Sequence, residues 1–132
     1  MKYLLDTHVI LRALVGDNRV SPEIKEILFN KDNQLYYSTA SVWEIELKHL
    51  KRKEFKLNSK QFTFLCDQND ILNLPIKNIH IDNLEEIKKI QDIEHNDPFD
   101  NMLLSQATCE GMKFITHDKK FECYDNRNII MF

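Results

Sequence analysis

His95-Asn96-Asp97-Pro98-Phe99-Asp100 opens a helical pattern, Gly111 closes it, and Lys113-Phe114-Ile115-Thr116-His117-Asp118 follows at once. Asp97 before Pro98 reads as an N-cap with a proline at the first helical position, and Asp100, three residues on, falls in the same first turn. Phe99, Leu103, Leu104, Ala107 and Thr108 recur at helical spacing up to Gly111, the residue type that helices use just past their ends. Residues 113–116 then read as a strand that stops at His117-Asp118. A helix running straight into a strand that ends in an acid is half of a parallel crossover unit.

The rest of the chain repeats that alternation. Tyr3-Leu4-Leu5 is a short apolar run ending at Asp6-Thr7-His8, after which Val9, Ile10, Ala13 and Leu14 carry a helix to Gly16. Ser21-Pro22-Glu23 caps a second helix with Ile24, Ile27 and Leu28 as its stripe, and Gln34-Leu35-Tyr36-Tyr37-Ser38 reads as the second strand. Ser41-Val42-Trp43-Glu44 has the spacing of a capping box and predicts a helix through Ile45 and Leu47 to about Lys51. A cap at Asn58 or Ser59 starts another, through Phe62, Phe64 and Leu65 to about Gln68. Residues 71–76 predict a third strand that Pro75 ends or pushes to a sheet edge. Asp82 to Ile93 reads as one amphipathic helix with Leu84, Ile87, Ile90 and Gln91 near one face, and Asn128 to Phe132 as a terminal strand. Such alternation predicts an α/β fold, a mainly parallel sheet covered on both faces, with sites beyond the carboxyl ends of its strands.

Composition narrows the function. The 132 residues, 42% hydrophobic and 30% charged, predict one domain over 1–132 with a single core. A net charge of -3 and a pI near 5.9 mean that any nucleic-acid contact must come from a local patch. Lys48-His49-Leu50-Lys51-Arg52-Lys53 is one candidate, with a solvated helix end as its plain alternative. Cys66, Cys109 and Cys123 are widely spaced and contain no C-x-x-C, which predicts neither a disulfide framework nor a structural zinc site but reduced thiols in a cytosol. No apolar run approaches the ~18 residues of a membrane span, so a cytoplasmic protein without a membrane partner is expected.

Asp6 and Asp118 directly follow the first and fourth strands, while Glu44, Asp97 and Asp100 fall in first turns of helices expected to begin near the same rim. Each has a structural reading: Asp97 as a cap, Asp100 as its partner in an acidic capping box, Glu44 as the glutamate of S-x-x-E. Together they have another. Two unit charges ~4 Å apart repel by about 4 kcal/mol at an effective dielectric near 20, so gathered carboxylates call for a cation. All-oxygen ligands point to Mg²⁺ or Mn²⁺ rather than zinc, and such an ion can activate water against a phosphodiester.

Leu4-Leu5-Asp6-Thr7-His8, Ser41-Val42-Trp43-Glu44-Ile45 with Lys48, Asp97-Pro98-Phe99-Asp100 with Leu104 and Ala107, and Thr116-His117-Asp118 with Phe121 form an ordered set that spans the chain. The set resembles PIN domains, and among them is most similar to the VapC-type toxin ribonucleases of type II toxin–antitoxin pairs, in the D-P-F-D subgroup. The resemblance implies a three-layer α/β/α sandwich and an acidic, Mg²⁺-dependent (or Mn²⁺-dependent) site that hydrolyses RNA. It carries the acidic quartet onto Asp6, Glu44, Asp100 and Asp118 as metal-binding and catalytic residues, and the subgroup's extra aspartate onto Asp97. Thr7 and Thr116 match hydroxyl residues that orient carboxylates or phosphates; His8 also matches, as a histidine bonded within the fold or a base. Asn96 and Arg12 depart from the pattern, which commonly has an arginine and an aromatic residue there. The resemblance further implies a homodimer, held inactive by a VapB-like antitoxin.

The leading expectation is therefore a metal-dependent endoribonuclease that acts as the toxin of such a pair, with a PIN ribonuclease in a housekeeping RNA-processing role as the alternative. A receiver-type signalling module would also be α/β with acids beyond strand ends. It requires paired acids after the first strand, an aspartate after a middle strand and a lysine after the last, none of which this chain has. A binding module without catalysis is at odds with the intact acidic set.

Overall fold

A computed structural model describes residues 1–16, 18–91, 97–126 and 128–131. The elements in chain order are β1 (Lys2–Leu5), α1 (Thr7–Leu14), α2 (Pro22–Phe29), β2 (Gln34–Ser38), α3 (Thr39–Lys51), α4 (Ser59–Gln68), β3 (Ile71–Leu74), α5 (Asn78–Asp82), α6 (Leu84–Lys89), α7 (Pro98–Glu110), β4 (Lys113–Thr116), a 3-10 turn (Lys119–Cys123) and β5 (Ile129–Met131). All pairings among the strands are parallel, in the order β3-β2-β1-β4-β5. This is the expected three-layer α/β/α sandwich. A receiver-type sheet would run 2-1-3-4-5, so the strand order removes that alternative.

Alternation along β1 sends Leu4 to one face of the sheet and Tyr3 and Leu5 to the other. On the Leu5 face, Val9 and Ile10 of α1, Ile24 of α2, Ile45 of α3 and Phe62 of α4 close the core. On the Leu4 face, Phe114 meets Ile87 of α6 and Leu103, Leu104 and Ala107 of α7. Leu4, Leu5, Phe114 and Ile115 have no exposed surface, as expected of central strands covered on both sides. Burial of each such side chain contributes roughly 1.5–3 kcal/mol, which fixes β1 beside β4 and so decides where their carboxyl ends lie.

Two expectations are corrected. The helix expected to open at Ser41 begins at Thr39, because Ser38 is its cap: the Ser38 hydroxyl accepts from the Ala40 N–H at 2.9 Å, and β2 passes into α3 without a loop. Ser41 and Glu44 are therefore inside the helix. Their i,i+3 spacing, which reads as a capping box, instead puts both on one helix face. The amphipathic stretch expected as one helix over 82–93 is two short helices meeting at Asn83, and its last two residues lie outside the described ones, as do His95 and Asn96. α5 escapes the sequence because its start is capped by an imidazole: the Lys77 N–H donates to Nδ1 of the buried His80 at 3.0 Å.

Candidate active site

The order 3-2-1-4-5 reverses direction between β1 and β4, and a crevice opens beyond the carboxyl ends of strands at such a switch point. Asp6 and Asp118 flank it. β1 pairs Leu5 with Ile115, so the next residues, Asp6 and Thr116, face each other, and the Asp6 N–H donates to the Ile115 carbonyl at 2.9 Å. The Thr116 hydroxyl donates to Asp6 Oδ2 at 2.7 Å and accepts from the Asp118 N–H at 3.0 Å. One buried hydroxyl thus holds both acids in register. Asp118 also caps the 3-10 turn, its Oδ1 accepting from the Lys120 N–H at 2.9 Å.

Glu44 reaches the crevice from α3. The Thr7 hydroxyl, in the first turn of α1, donates to Ser41 Oγ at 2.7 Å, and this buried bond locks α1 onto the α3 face that carries Glu44. Asp97 and Asp100 arrive on the first turn of α7. Asp97 is a true cap, Oδ1 accepting from the N–H groups of Phe99 at 2.9 Å and Asp100 at 3.3 Å, with Pro98 at the first helical position. α7 is itself anchored by buried polar side chains. Ser38 donates to Gln106 Oε1, and Gln106 Nε2 donates to the carbonyls of Leu74 at 3.4 Å and Pro75 at 3.3 Å. The adjacent Ser105 donates to the His80 carbonyl, and at the end of α7 Glu110 Oε2 meets His80 Nε2 at 2.8 Å. Since His80 Nδ1 accepts from Lys77, the ring donates to Glu110 through Nε2.

The five acids share one electrostatic field. Burial pushes the Asp6 carboxyl up to about 6, Glu44 and Asp118 add repulsion, and the Thr116 hydroxyl and Thr7 backbone N–H oppose the rise. Asp100, only 8% exposed, is pushed further, to about 8, first by burial and then by Asp97, Asp6, Asp118 and Glu44. His8 lies at the rim, its ring edge-on to that of His117 with 6.1 Å between centroids. Partial burial holds both imidazoles below their usual range. Lys48 and Arg12 add to the effect on His8, Arg12 and His8 to that on His117. Beside the acids, a cleft of about 360 Å³ between α3 and α7 contains an edge-to-face contact of Trp43 with Phe99, 5.1 Å between centroids.

The donors are carboxylates, with no thiol contributing to the field of Asp6 or Asp100, and their mutual repulsion falls when a cation binds. In chemistry the set fits a hard divalent ion. Among the described residues no group of three His, Cys, Asp or Glu side chains is gathered closely enough to hold one as placed, so occupancy requires the carboxylates to draw together.

The profile of the PIN domain family matches residues 3–126, nearly the whole chain. The chain belongs to the PIN domain family. It is thereby placed among nucleases, and its fold is shared by solved PIN-like structures of low sequence similarity. One is VapBC2 from Rickettsia felis bound to a DNA fragment from its promoter: TM-score 0.68 and 19% identity, over 100% of this PIN domain and 98% of that chain. DNA-bound VapBC from Salmonella typhimurium gives 0.68 and 16% over 99% and 98%, and a toxin–antitoxin complex from Klebsiella pneumoniae 0.63 and 17% over 98% and 96%. No curated protein matches this PIN domain in sequence. Among the described residues no helix is long and apolar enough to cross a membrane.

Asp6, Glu44, Asp97 and Asp118 all act on the Asp100 carboxyl. Of the two threonines, Thr116 bonds a carboxylate, whereas the Thr7 hydroxyl braces two helices. Ser41, Ser38 and Gln106 were not singled out as supports. For Ser41 and Gln106 the signal is a polar side chain at a position where the helical period requires burial; Ser38, the last residue of β2, carries no such signal.

Proposed function

We propose that this PIN domain is a divalent-metal-dependent endoribonuclease of VapC type, a single nuclease domain over 1–132 that acts as the toxin of a type II toxin–antitoxin pair. The observation that carries the proposal is the buried acidic crevice at the β1/β4 switch point, where Asp100 is pushed up to about 8 by burial and by four neighbouring carboxylates. Asp6, Glu44, Asp100 and Asp118 are the proposed metal ligands, with Asp97 completing the catalytic set. Mg²⁺ or Mn²⁺, when bound, supplies charge neutralisation and an activated water for phosphodiester hydrolysis.

The chain's own residues supply the positioning. Thr116 holds Asp6 and the backbone of Asp118 together, so two acids from distant parts of the chain present a fixed pair. Asp97 is oriented by two backbone N–H groups, which keeps one of its oxygens on the helix. Thr7 through Ser41 sets the approach of Glu44. Burial keeps bulk water from solvating Asp6 and Asp100, so their charges respond strongly to a cation. The biological setting, a cytoplasmic homodimer with RNA as substrate and a VapB-like antitoxin as partner, is proposed from the likeness to toxin–antitoxin complexes.

Purified protein is titrated with Mg²⁺ or Mn²⁺ against structured and single-stranded RNA. Cleavage that depends on metal and disappears in Asp6→Asn and in Asp100→Asn, both still folded, is the expected result. Full activity in either variant refutes the assignment.

A further inference from the structure

Arg12 follows His8 by one helical turn on α1, and Lys48 follows Glu44 by one turn on α3. The Thr7–Ser41 bond fastens these two helices side by side, so two stripes leave the crevice together, each ending in a cation about 6 Å farther along its helix. Both cations act on the same imidazole. Glu44 and Asp118 are near enough to bear on the same ring, so acids and cations share the surroundings of His8, two residues beyond Asp6. Arg12 acts likewise on His117, the ring that meets His8 edge-on.

Both cations are half-buried, and among the described residues neither makes a hydrogen bond or ion pair. Lys48 stands only one turn from Glu44, with which it makes no ion pair. A cation placed among the acids would quench their field; held a turn away, it leaves the acids for a metal and keeps its own charge available to an external anion. The whole chain carries -3, so a polyanionic substrate needs such a local foothold to approach an acidic site.

We infer that Arg12 and Lys48 grip phosphates of the RNA strand beside the bond to be cut and so set its register over the carboxylates. The inference rests on the nuclease reading above but is tested separately from it. In an Asp100→Asn background, where RNA stays intact, binding of a fluorescein-labelled single-stranded RNA is followed by anisotropy in Mg²⁺ across a series of monovalent salt concentrations. Arg12→Gln and Lys48→Gln are each expected to weaken binding several-fold and to lower the slope of log K against log salt by about 0.7, the value for one phosphate contact on a single strand. Arg12→Lys should keep the slope. With Asp100 restored, each glutamine variant should raise KM more than it lowers kcat. A parent that does not bind RNA, or one slope shared by parent and variants, overturns the inference, even if the wild type cuts RNA. Lowered slopes with a wild type that never cuts would instead leave the grip standing and refute the nuclease reading.

Discussion

Asp100→Asn should stabilise the metal-free protein at neutral pH while abolishing its activity. The ordinary carboxyl value of 3.8 is raised to about 8 in the fold, so the folded state holds the Asp100 proton more tightly than the unfolded chain does. Stability from this group is therefore fully present below about pH 4 and is lost as pH rises towards about 8. Each pH unit in that window costs roughly 1.4 kcal/mol, which accumulates to about 4 kcal/mol by pH 7. Asparagine has nearly the shape of the protonated acid and never ionises, and it also relieves Asp6 of a neighbour. Urea unfolding in EDTA, at intervals from pH 4 to 8, should show the two proteins nearly equal at the acid end and the variant increasingly ahead above it. Mg²⁺ at 100 times its Kd should narrow that gap without closing it at pH 7, since it adds about 2.7 kcal/mol to the protein that binds it. A stability difference that stays flat across pH would refute the electrostatic reading of Asp100.

Thr116→Val deletes the donor to Asp6 and the acceptor for the Asp118 N–H. We expect a stability loss of about 1–3 kcal/mol and a 10- to 100-fold fall in single-turnover RNA cleavage, with the Asp6 carboxyl rising further; unchanged cleavage would show that Thr116 does not support the site. Gln106→Leu leaves the Leu74 and Pro75 carbonyls without their buried donor and should cost about 1–3 kcal/mol in urea unfolding. It should also impair cleavage from a distance, because Gln106 anchors the helix that presents Asp97 and Asp100; equal stability with intact activity would contradict that.

The acids were legible because each stands where local chemistry can be read: Asp6 and Asp118 after strands, Asp97 before a proline, Asp100 in the turn that follows. Their meeting was legible only as far as the α/β class, since the reversal of strand order between β1 and β4 depends on pairings that no local pattern encodes. Ser41 misled because three-residue spacing serves a capping box and a shared helix face equally well, and only the tertiary partner Thr7 decides between them. Gln106 and Ser105 were hidden for a related reason. Their partners lie at Ser38, Leu74, Pro75 and His80, on other elements, so the helix period alone marks them as misplaced polar residues rather than as joints.

The bond between Thr116 and Asp6 spans 110 positions of the sequence. A ribosome making this protein delivers Asp6 and Glu44 early and the residues that complete the crevice last. Until β4 has emerged and inserted beside β1, the first acids have neither their bridging hydroxyl nor Asp118. Assembly of the acidic crevice is thus deferred to the closing moments of synthesis, and a chain cut short before Thr116 carries most of the helices but no completed site.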